Sequence, residues 1–138
     1  MEHTRPVRAG LFDETDAGPR LIAGLCSGCR RLHFPATESC PYCGGACASL
    51  AVGPAGTLFL FTTIASRPPG YRGDVPFGFG VVELAEGLRV VTRLTETDAE
   101  KLRSGQAMRL VLTPVHADDD GTPVVSYAFA PAGAAREA

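Results

Sequence analysis

Two CxxC pairs constrain the fold of this 138-residue chain more than any other feature of its sequence. Cys26 and Cys29 form the first pair, and Cys40 and Cys43 form the second after ten intervening residues. Pairs at this separation can fold into facing turns that place four thiolates at the corners of a tetrahedron, the ligand geometry that Zn²⁺ prefers. The spacing therefore predicts a structural zinc site within a zinc ribbon.

The same four cysteines leave other chemistry open. A one-iron centre of the rubredoxin type uses the same ligands, so the spacing does not separate zinc from iron. A redox dithiol pair is a further alternative, but a redox CxxC normally opens a helix in a βαβ unit, and the sequence predicts none. Four thiolates leave no open coordination position, so the metal would stabilise the fold rather than catalyse. Cys47 and His33 lie outside the pattern; Cys47 is predicted to be a small buried or idle thiol.

The composition is that of an ordinary globular protein, with 45% hydrophobic and 20% charged residues. The net charge is −2 and Lys101 is the single lysine, which argues against a strongly basic nucleic-acid-binding protein. No apolar run approaches the roughly 20 residues of a membrane helix, so no membrane contact is predicted. Residues 1–18 lack the apolar core of a signal peptide, which favours a cytoplasmic location. In that reducing compartment, cysteines more often bind metals than form disulfides.

The second half of the chain alternates apolar runs with glycine and proline, which is typical of short strands and turns. A helix is predicted only over residues 95–105, with Thr97 and Glu100 as its capping box and Gly105 at its end. Turns at residues 86–87 and 118–121 predict two hairpins. Five runs rich in β-branched and aromatic residues are predicted strands: GTLFLFTTI, FGFGVVELAEG, LRVVTRLT, AMRLVLTPV and PVVSYAFAP.

Five strands with one short helix between the third and the fourth predict a barrel of the OB type. The predicted fold is therefore mainly β: an N-terminal rubredoxin-like zinc ribbon followed by a five-stranded OB-fold barrel with one short helix. The predicted boundaries are a loosely ordered or docking arm over residues 1–18, the ribbon over 19–52, the barrel over 53–130 and a flexible tail over 131–138.

Four stretches of the chain, taken in order, carry a resemblance to a known family. They are LIAGLCSGCRRLHFPATESCPYCGG, GPAGTLFLFTTI, VPFGFGVVELAEGLRVVTRLT and LRSGQAMRLVL. They resemble the CxxC–hFP–CPxCG ribbon, the first strand, the EG hairpin and the following turn and strand of the DUF35 family of acyl-CoA-associated zinc-ribbon and OB-fold proteins. The resemblance covers about residues 20–130. The sequence departs from the family at Arg30, where a glycine is frequent, and at Pro35, where a double proline is frequent.

This resemblance implies a role rather than a reaction. Members of the family are accessory subunits that assemble with acyl-CoA enzymes, namely thiolases, thiolase-like aldolases and hydratases. The resemblance therefore implies a non-catalytic subunit of a hetero-oligomer that contains structural zinc, stabilises its partner and helps to form the partner's acyl-CoA channel. The alternative is a zinc-ribbon and OB-fold protein that binds single-stranded nucleic acid, which the scarcity of lysine and the negative charge disfavour.

Residues 66–74, which join the first two predicted barrel strands, are the candidate binding loop. In OB folds this loop lies beside the binding face. Arg67 and Arg72 would hold the phosphates of CoA or contact a partner, and Tyr71 would stack on adenine. A loop that is only solvated is the simpler alternative.

Two alternating pairs lie on the predicted strands. Arg89 and Arg93 share one face, predicted to be an outer one, whereas Phe59 and Phe61 are predicted barrel core. No catalytic pair of residues is predicted anywhere, because no GxSxG or phosphate-binding glycine motif is present.

Overall fold

The protein is built almost entirely from β-strands within residues 4–132, the part of the chain that the computed structural model describes. One turn of 3₁₀ helix, Ala99–Lys101, interrupts them. The strands are β1 (Arg5–Pro6), β2 (Phe12–Thr15), β3 (Gly18–Cys26), β4 (Leu32–His33), β5 (Cys47–Val52), β6 (Ala55–Ile64), β7 (Phe77–Leu84), β8 (Arg89–Leu94), β9 (Ala107–Ala117) and β10 (Pro123–Pro131).

The N-terminal ribbon is organised around β3. Strands β2, β4 and β5 all pair with β3 in the antiparallel sense, and β5 does so over the whole length from Leu21 to Cys26. Cys26 ends β3, Cys29 follows in the turn before β4, and Cys40 and Cys43 lie between β4 and β5. The sheet therefore brings both CxxC pairs to the same end of the ribbon.

Strands β6 to β10 close into a barrel in the order β6–β7–β8–β10–β9, with β9 returning to β6. Its neighbours are antiparallel except β8 and β10, which pair in parallel at Arg93 with Ala128 and Leu94 with Phe129. Each of the five predicted strands coincides with one barrel strand. The predicted OB fold is therefore confirmed.

The helix predicted over residues 95–105 is wrong in length, because only the single 3₁₀ turn forms there. Asp98, rather than Thr97, caps it: the Asp98 carboxylate accepts a hydrogen bond of 3.0 Å from the Glu100 N–H. Beyond the turn, the Gly105 N–H donates to the Leu58 carbonyl of β6 at 2.7 Å. The residues that would have continued the helix instead contact β6, because so short a helix has little stability of its own.

A β-bulge in β6 overturns the predicted burial of Phe59. The register between β6 and β7 shifts between Leu58 and Leu60, which leaves Phe59 as the additional residue. Leu58 is buried, whereas Phe59 is 39% exposed and Leu60 is 56% exposed. Phe61 returns to the inside and packs against the core as predicted.

Ribbon and barrel share one hydrophobic core. Leu21 and Val52 of the ribbon belong to the same buried cluster as Leu58, Val82 and Phe129 of the barrel. Phe34 of the ribbon also packs edge-on against Tyr127 of β10, with ring centroids 5.3 Å apart. Loosening the ribbon would therefore expose one side of the barrel core.

Much of the predicted N-terminal arm is part of the two sheets. β2 forms a hairpin with β3, and β1 runs parallel to β10. Arg5 donates two hydrogen bonds of 2.8 Å to the carboxylate of Asp118, which hold the pKa of that carboxyl below its ordinary value. Of the predicted tail over residues 131–138, residues 133–138 lie outside the described part. Within the described part, no helix is long and apolar enough to cross a membrane.

Candidate functional site

The four predicted metal ligands lie together at the end of the ribbon. The Sγ atoms of Cys26, Cys29, Cys40 and Cys43 all lie within 4.8 Å of one another. The Sγ atoms of Cys26 and Cys43 are 3.4 Å apart, and those of Cys29 and Cys40 are 3.6 Å apart. Cys26 and Cys40 are buried, whereas Cys29 and Cys43 are exposed. The cluster therefore has one buried and one accessible side.

Backbone N–H groups in the two turns favour the thiolate forms of Cys26 and Cys40. The N–H groups of Gly28 and Cys29 each donate to Cys26 Sγ at 3.3 Å, and the Tyr42 N–H donates to Cys40 Sγ at 3.3 Å. The Cys29 N–H has the largest effect on Cys26 and lowers the pKa of its thiol to about 6. At Cys40, burial opposes the shift, but hydrogen bonding outweighs it and the pKa lies below the ordinary value. The thiolate is the form that binds metals.

This donor set fits zinc. A tetrahedron with Zn–S bonds of about 2.3 Å has sulfurs about 3.8 Å apart, close to the two shortest separations here. Gly45 leaves room for the cluster, because a Cβ at that position would lie 3.3 Å from Cys26 Sγ and 3.4 Å from Cys43 Sγ. Four thiolates would complete the coordination of the metal, so a zinc ion here would stabilise the ribbon without binding substrate.

The two CxxC turns have the same backbone geometry although one ends in arginine. The Arg30 N–H donates to the Cys26 carbonyl at 3.0 Å, and the Gly44 N–H donates to the Cys40 carbonyl at 2.9 Å. Gly44 has φ +80° and Arg30 has φ +65°. Arg30 thus adopts the left-handed conformation at a cost of about 1 kcal/mol. Its departure from the family pattern leaves the fold of the turn unchanged.

Neither His33 nor Cys47 belongs to the cluster. His33 is buried, and its Nε2 accepts a hydrogen bond of 3.2 Å from the Thr37 N–H. The absence of a side chain at Gly24 makes room for the His33 ring. Cys47 pairs with Cys26 across β3 and β5, and burial raises the pKa of its thiol. His33 therefore has a packing role, and Cys47 stays in the thiol form.

The loop of residues 66–74 is held largely by its own contacts. Arg67 donates to the Gly73 carbonyl, and its guanidinium lies 6.0 Å from the Tyr71 ring centroid. The Tyr71 hydroxyl donates to the Asp74 carbonyl at 3.1 Å. Arg72 reaches out of the loop and donates to the Ala117 carbonyl on β9 at 3.3 Å. Of the three predicted contact residues, Arg67 is therefore engaged within the loop, whereas Tyr71 and Arg72 line a cavity beneath it.

That cavity has a volume of about 320 Å³ and lies between the loop, Val7 just after β1, and strands β9 and β10. Arg93 of β8 lines it together with Val115, His116 and Ser126. The sequence predicted Arg93 only as an outer-face residue, and its strand alternation with Arg89 gave no signal of this cavity. Arg89 is exposed, whereas Arg93 is partly covered.

A row of exposed and half-buried apolar side chains crosses the outside of the barrel. Leu60, Val81 and Val91 are register neighbours on β6, β7 and β8, and Leu60 and Val91 are each 56% exposed. The bulge places Phe59 beside this row, and the Arg89 guanidinium lies 3.9 Å from the Phe59 ring centroid. These five residues are called the barrel face below. Large exposed apolar patches with a polar rim are typical of protein-interaction surfaces.

Within residues 4–132, no serine or cysteine hydrogen-bonds to a histidine or carboxylate side chain. The Ser27 and Ser104 hydroxyls both donate to backbone carbonyls. Thr37 and His33 form the one hydroxyl–imidazole contact in this range, at 2.9 Å. The Thr37 hydroxyl also donates to the Ser39 carbonyl at 2.6 Å, and this exposed hydrogen bond lies in the turn after β4.

A ribbon with a four-thiolate cluster joined to an OB barrel defines the class of zinc-ribbon and OB-fold proteins. Two family models match the chain in that order. The one described as "ChsH2, rubredoxin-like zinc ribbon domain" matches residues 18–47, and "ChsH2, C-terminal OB-fold domain" matches residues 50–113. The chain belongs to the DUF35 family, as the resemblance predicted.

Relatives and a solved structure agree with this assignment. A "DUF35 domain-containing scaffold protein" of Pyrococcus furiosus is 29% identical over 114 residues, which cover 81% of this chain and 83% of that protein. The "Benzoylsuccinyl-CoA thiolase subunit BbsA" of Thauera aromatica is 31% identical over 114 residues, covering 80% and 76%. The solved structure "Ltp2-ChsH2(DUF35) aldolase" matches with a TM-score of 0.64 and 25% identity, covering 82% of this chain and 85% of that one.

Proposed function

We propose that this protein is a non-catalytic accessory subunit that assembles with a thiolase-like, aldolase or hydratase acyl-CoA enzyme and stabilises it. The observation that carries the proposal is the similarity, over four fifths of the chain, to a protein named as a thiolase subunit. The fold match to a DUF35 protein in an aldolase structure supports it. In this proposal the partner supplies the catalytic residues.

Zinc held by the four clustered cysteines would make the ribbon rigid. Because Leu21 and Val52 of the ribbon pack in the barrel core, the metal would also keep ribbon and barrel in a fixed relation. A rigid relation matters for a subunit whose role is assembly, because ordering a loose surface on binding costs affinity.

The barrel face is the surface that we expect the partner to cover. Leu60→Asp would place a carboxylate within the apolar row. We therefore expect this variant to lose co-purification with the thiolase-like, aldolase or hydratase subunit whose gene lies nearest to the gene of this chain. Burial of an unpaired charge in an interface commonly weakens binding by more than tenfold. The measurement is affinity purification of the co-expressed pair followed by gel filtration with light scattering.

Ser49→Asp serves as the matched control, because it adds the same charge at an exposed position on the ribbon strand β5. We expect this variant to assemble normally. Normal assembly of Leu60→Asp would exclude the barrel face as the docking surface. If the partner enzyme were fully active without this chain, the accessory role itself would be contradicted. If the wild-type chain formed a homodimer that Leu60→Asp disrupts, the barrel face would be assigned to self-association instead.

We further infer that the subunit contributes to the acyl-CoA channel of its partner through the loop of residues 66–74. The Arg72 guanidinium is exposed and has one weak ionic contact, 4.0 Å from the Asp119 carboxylate. It is thus available for a CoA phosphate, with Tyr71 beside it. Arg67 would act indirectly, since its contact with the Gly73 carbonyl shapes the loop.

Arg72→Ala is therefore expected to raise the KM of the assembled enzyme for acyl-CoA about fivefold, the effect of one charged hydrogen bond at an exposed site. Steady-state kinetics of the purified complex measures this. Arg8→Ala, which removes an exposed arginine outside the loop, is the control and should leave KM unchanged. Equal KM values for the Arg72 variant and the wild type would remove this loop from the channel.

The alternative function, binding of single-stranded nucleic acid, has less support. Backbone recognition requires clustered cations and gives strongly salt-dependent binding. This chain has a net charge of −2 and a single lysine, and the most exposed apolar residues of its barrel face are aliphatic rather than stacking aromatic side chains.

A further inference from the structure

We propose that the cavity beneath the loop of residues 66–74 binds a small carboxylate with an apolar body, and that Arg93 pairs with the carboxylate. The cavity lies between the loop joining the first two barrel strands and the hairpin joining the last two. These are the loops that surround the ligand face in OB folds. The site belongs to this chain alone and does not depend on assembly with a partner.

The hydrogen-bonding state of Arg93 is the main observation. Its Nη1 donates to the Thr113 hydroxyl at 3.4 Å, a long hydrogen bond. Its Nε is buried and has no hydrogen-bond partner. The Nε and Nη2 groups together form one edge of the guanidinium, and that edge matches the two oxygens of a carboxylate. Among residues 4–132, no carboxylate lies within 4.0 Å of Arg93. Within the described residues, this edge of Arg93 therefore has no anionic partner.

The surroundings of Arg93 favour an amphipathic ligand. The walls include Val7, Val115 and the ring of Tyr71, so most of the lining is apolar. Ser126 and His116 add polar groups that make no hydrogen bond within the described residues. A volume of about 320 Å³ lies at the lower end of the range for small-molecule sites, which have mostly apolar walls and a few polar groups.

The charge in the cavity favours a monoanion over a phosphate. Arg93 is the one partly buried arginine of the lining, because Arg72 lies exposed at the rim. One buried cation balances one negative charge, whereas a phosphate dianion would keep an uncompensated charge in an apolar cavity. Asp74 lines a neighbouring cavity of about 240 Å³ with Arg93, but it is exposed and lies more than 4.0 Å from the guanidinium.

The experiment compares hexanoate with hexanamide, which has the same shape without the charge, by NMR titration of the zinc-loaded full chain. We expect hexanoate to shift resonances of Ser126 and Val115 and to bind at least tenfold more tightly than hexanamide. Arg93→Gln should abolish the difference between the two probes. Ser126→Ala should weaken the binding of hexanoate a few fold. This variant tests the site if the Arg93 variant fails to fold.

Two controls make each outcome decisive. Arg89→Gln removes an exposed charge from the same strand and should leave hexanoate binding unchanged. Asp74→Asn should bind hexanoate equally well or better, since a nearby negative charge that repels the probe is removed. Equal binding of hexanoate and hexanamide, full binding by Arg93→Gln, or inorganic phosphate competing as strongly as hexanoate would each overturn the proposal.

Discussion

Cys40→Ser is expected to reduce the zinc content from about one ion per chain to near zero and to disorder the ribbon. Serine keeps the size of the side chain but removes the thiolate, and three cysteines hold zinc much less tightly than four. Metal binding in small zinc domains contributes about 10–16 kcal/mol, so most of the ribbon's stability is at stake. Elemental analysis measures the zinc, and NMR of the β3 and β5 amides reports the fold of the ribbon.

Cys47→Ser is the matched control, since Cys47 is the fifth cysteine and lies outside the cluster. This variant should retain zinc and the wild-type spectrum. The Cys40 variant should also destabilise the barrel, because Leu21 and Val52 of the ribbon are part of its core. A Cys40→Ser protein that still binds one zinc and keeps its ribbon would refute the proposed site. If elemental analysis of the wild type found iron instead of zinc, the four cysteine ligands would stand and only the identity of the metal would change.

The sequence was sufficient where a pattern has few structural solutions. Two CxxC pairs at this separation close on one another, so Cys26 and Cys43 were predicted to meet although 16 residues separate them. Strand positions also followed from runs of β-branched and aromatic residues, because tertiary pairing here agrees with local propensity. The turn at residues 86–87 was predicted for the same reason: Gly87 supplies the φ of +90° that the hairpin requires.

Features that depend on a single neighbouring strand were not predicted. The exposure of Phe59 results from a bulge, which sequence alternation does not reveal. Arg89 and Arg93 have the same alternation, yet one lies in solvent beside Phe59 and the other lies under a loop. The helix expected over residues 95–105 gave way to pairing of Gly105 with β6. In each case the deciding contact comes from a residue distant in the sequence.

Gly80→Ala is expected to destabilise the protein by about 3 kcal/mol or more and to lower the Tm by more than about 10 °C. A Cβ at Gly80 would overlap the Leu60 carbonyl, and the next nearest atom, Phe61 Cα, would lie 3.1 Å away. Both are backbone atoms of β6, so no side-chain rotation relieves the overlap. Gly80 does not have a positive φ, so the effect would be steric rather than conformational. Thermal unfolding followed by circular dichroism measures it.

The control is Gly87→Ala, where the glycine has φ +90° and open space around it. In that variant the only cost is the left-handed conformation of alanine, so the free energy of unfolding should fall by about 1 kcal/mol. Because Gly80 pairs with Phe61, next to the bulge, pushing β6 away would also displace Phe59 and Leu60 from the barrel face. Gly80→Ala should therefore weaken assembly with the partner enzyme even at temperatures where it is folded, whereas Gly87→Ala should not. A Gly80 variant with a Tm near that of the wild type would show that β6 and β7 can separate without cost, and the close approach of these strands would then not determine the barrel face.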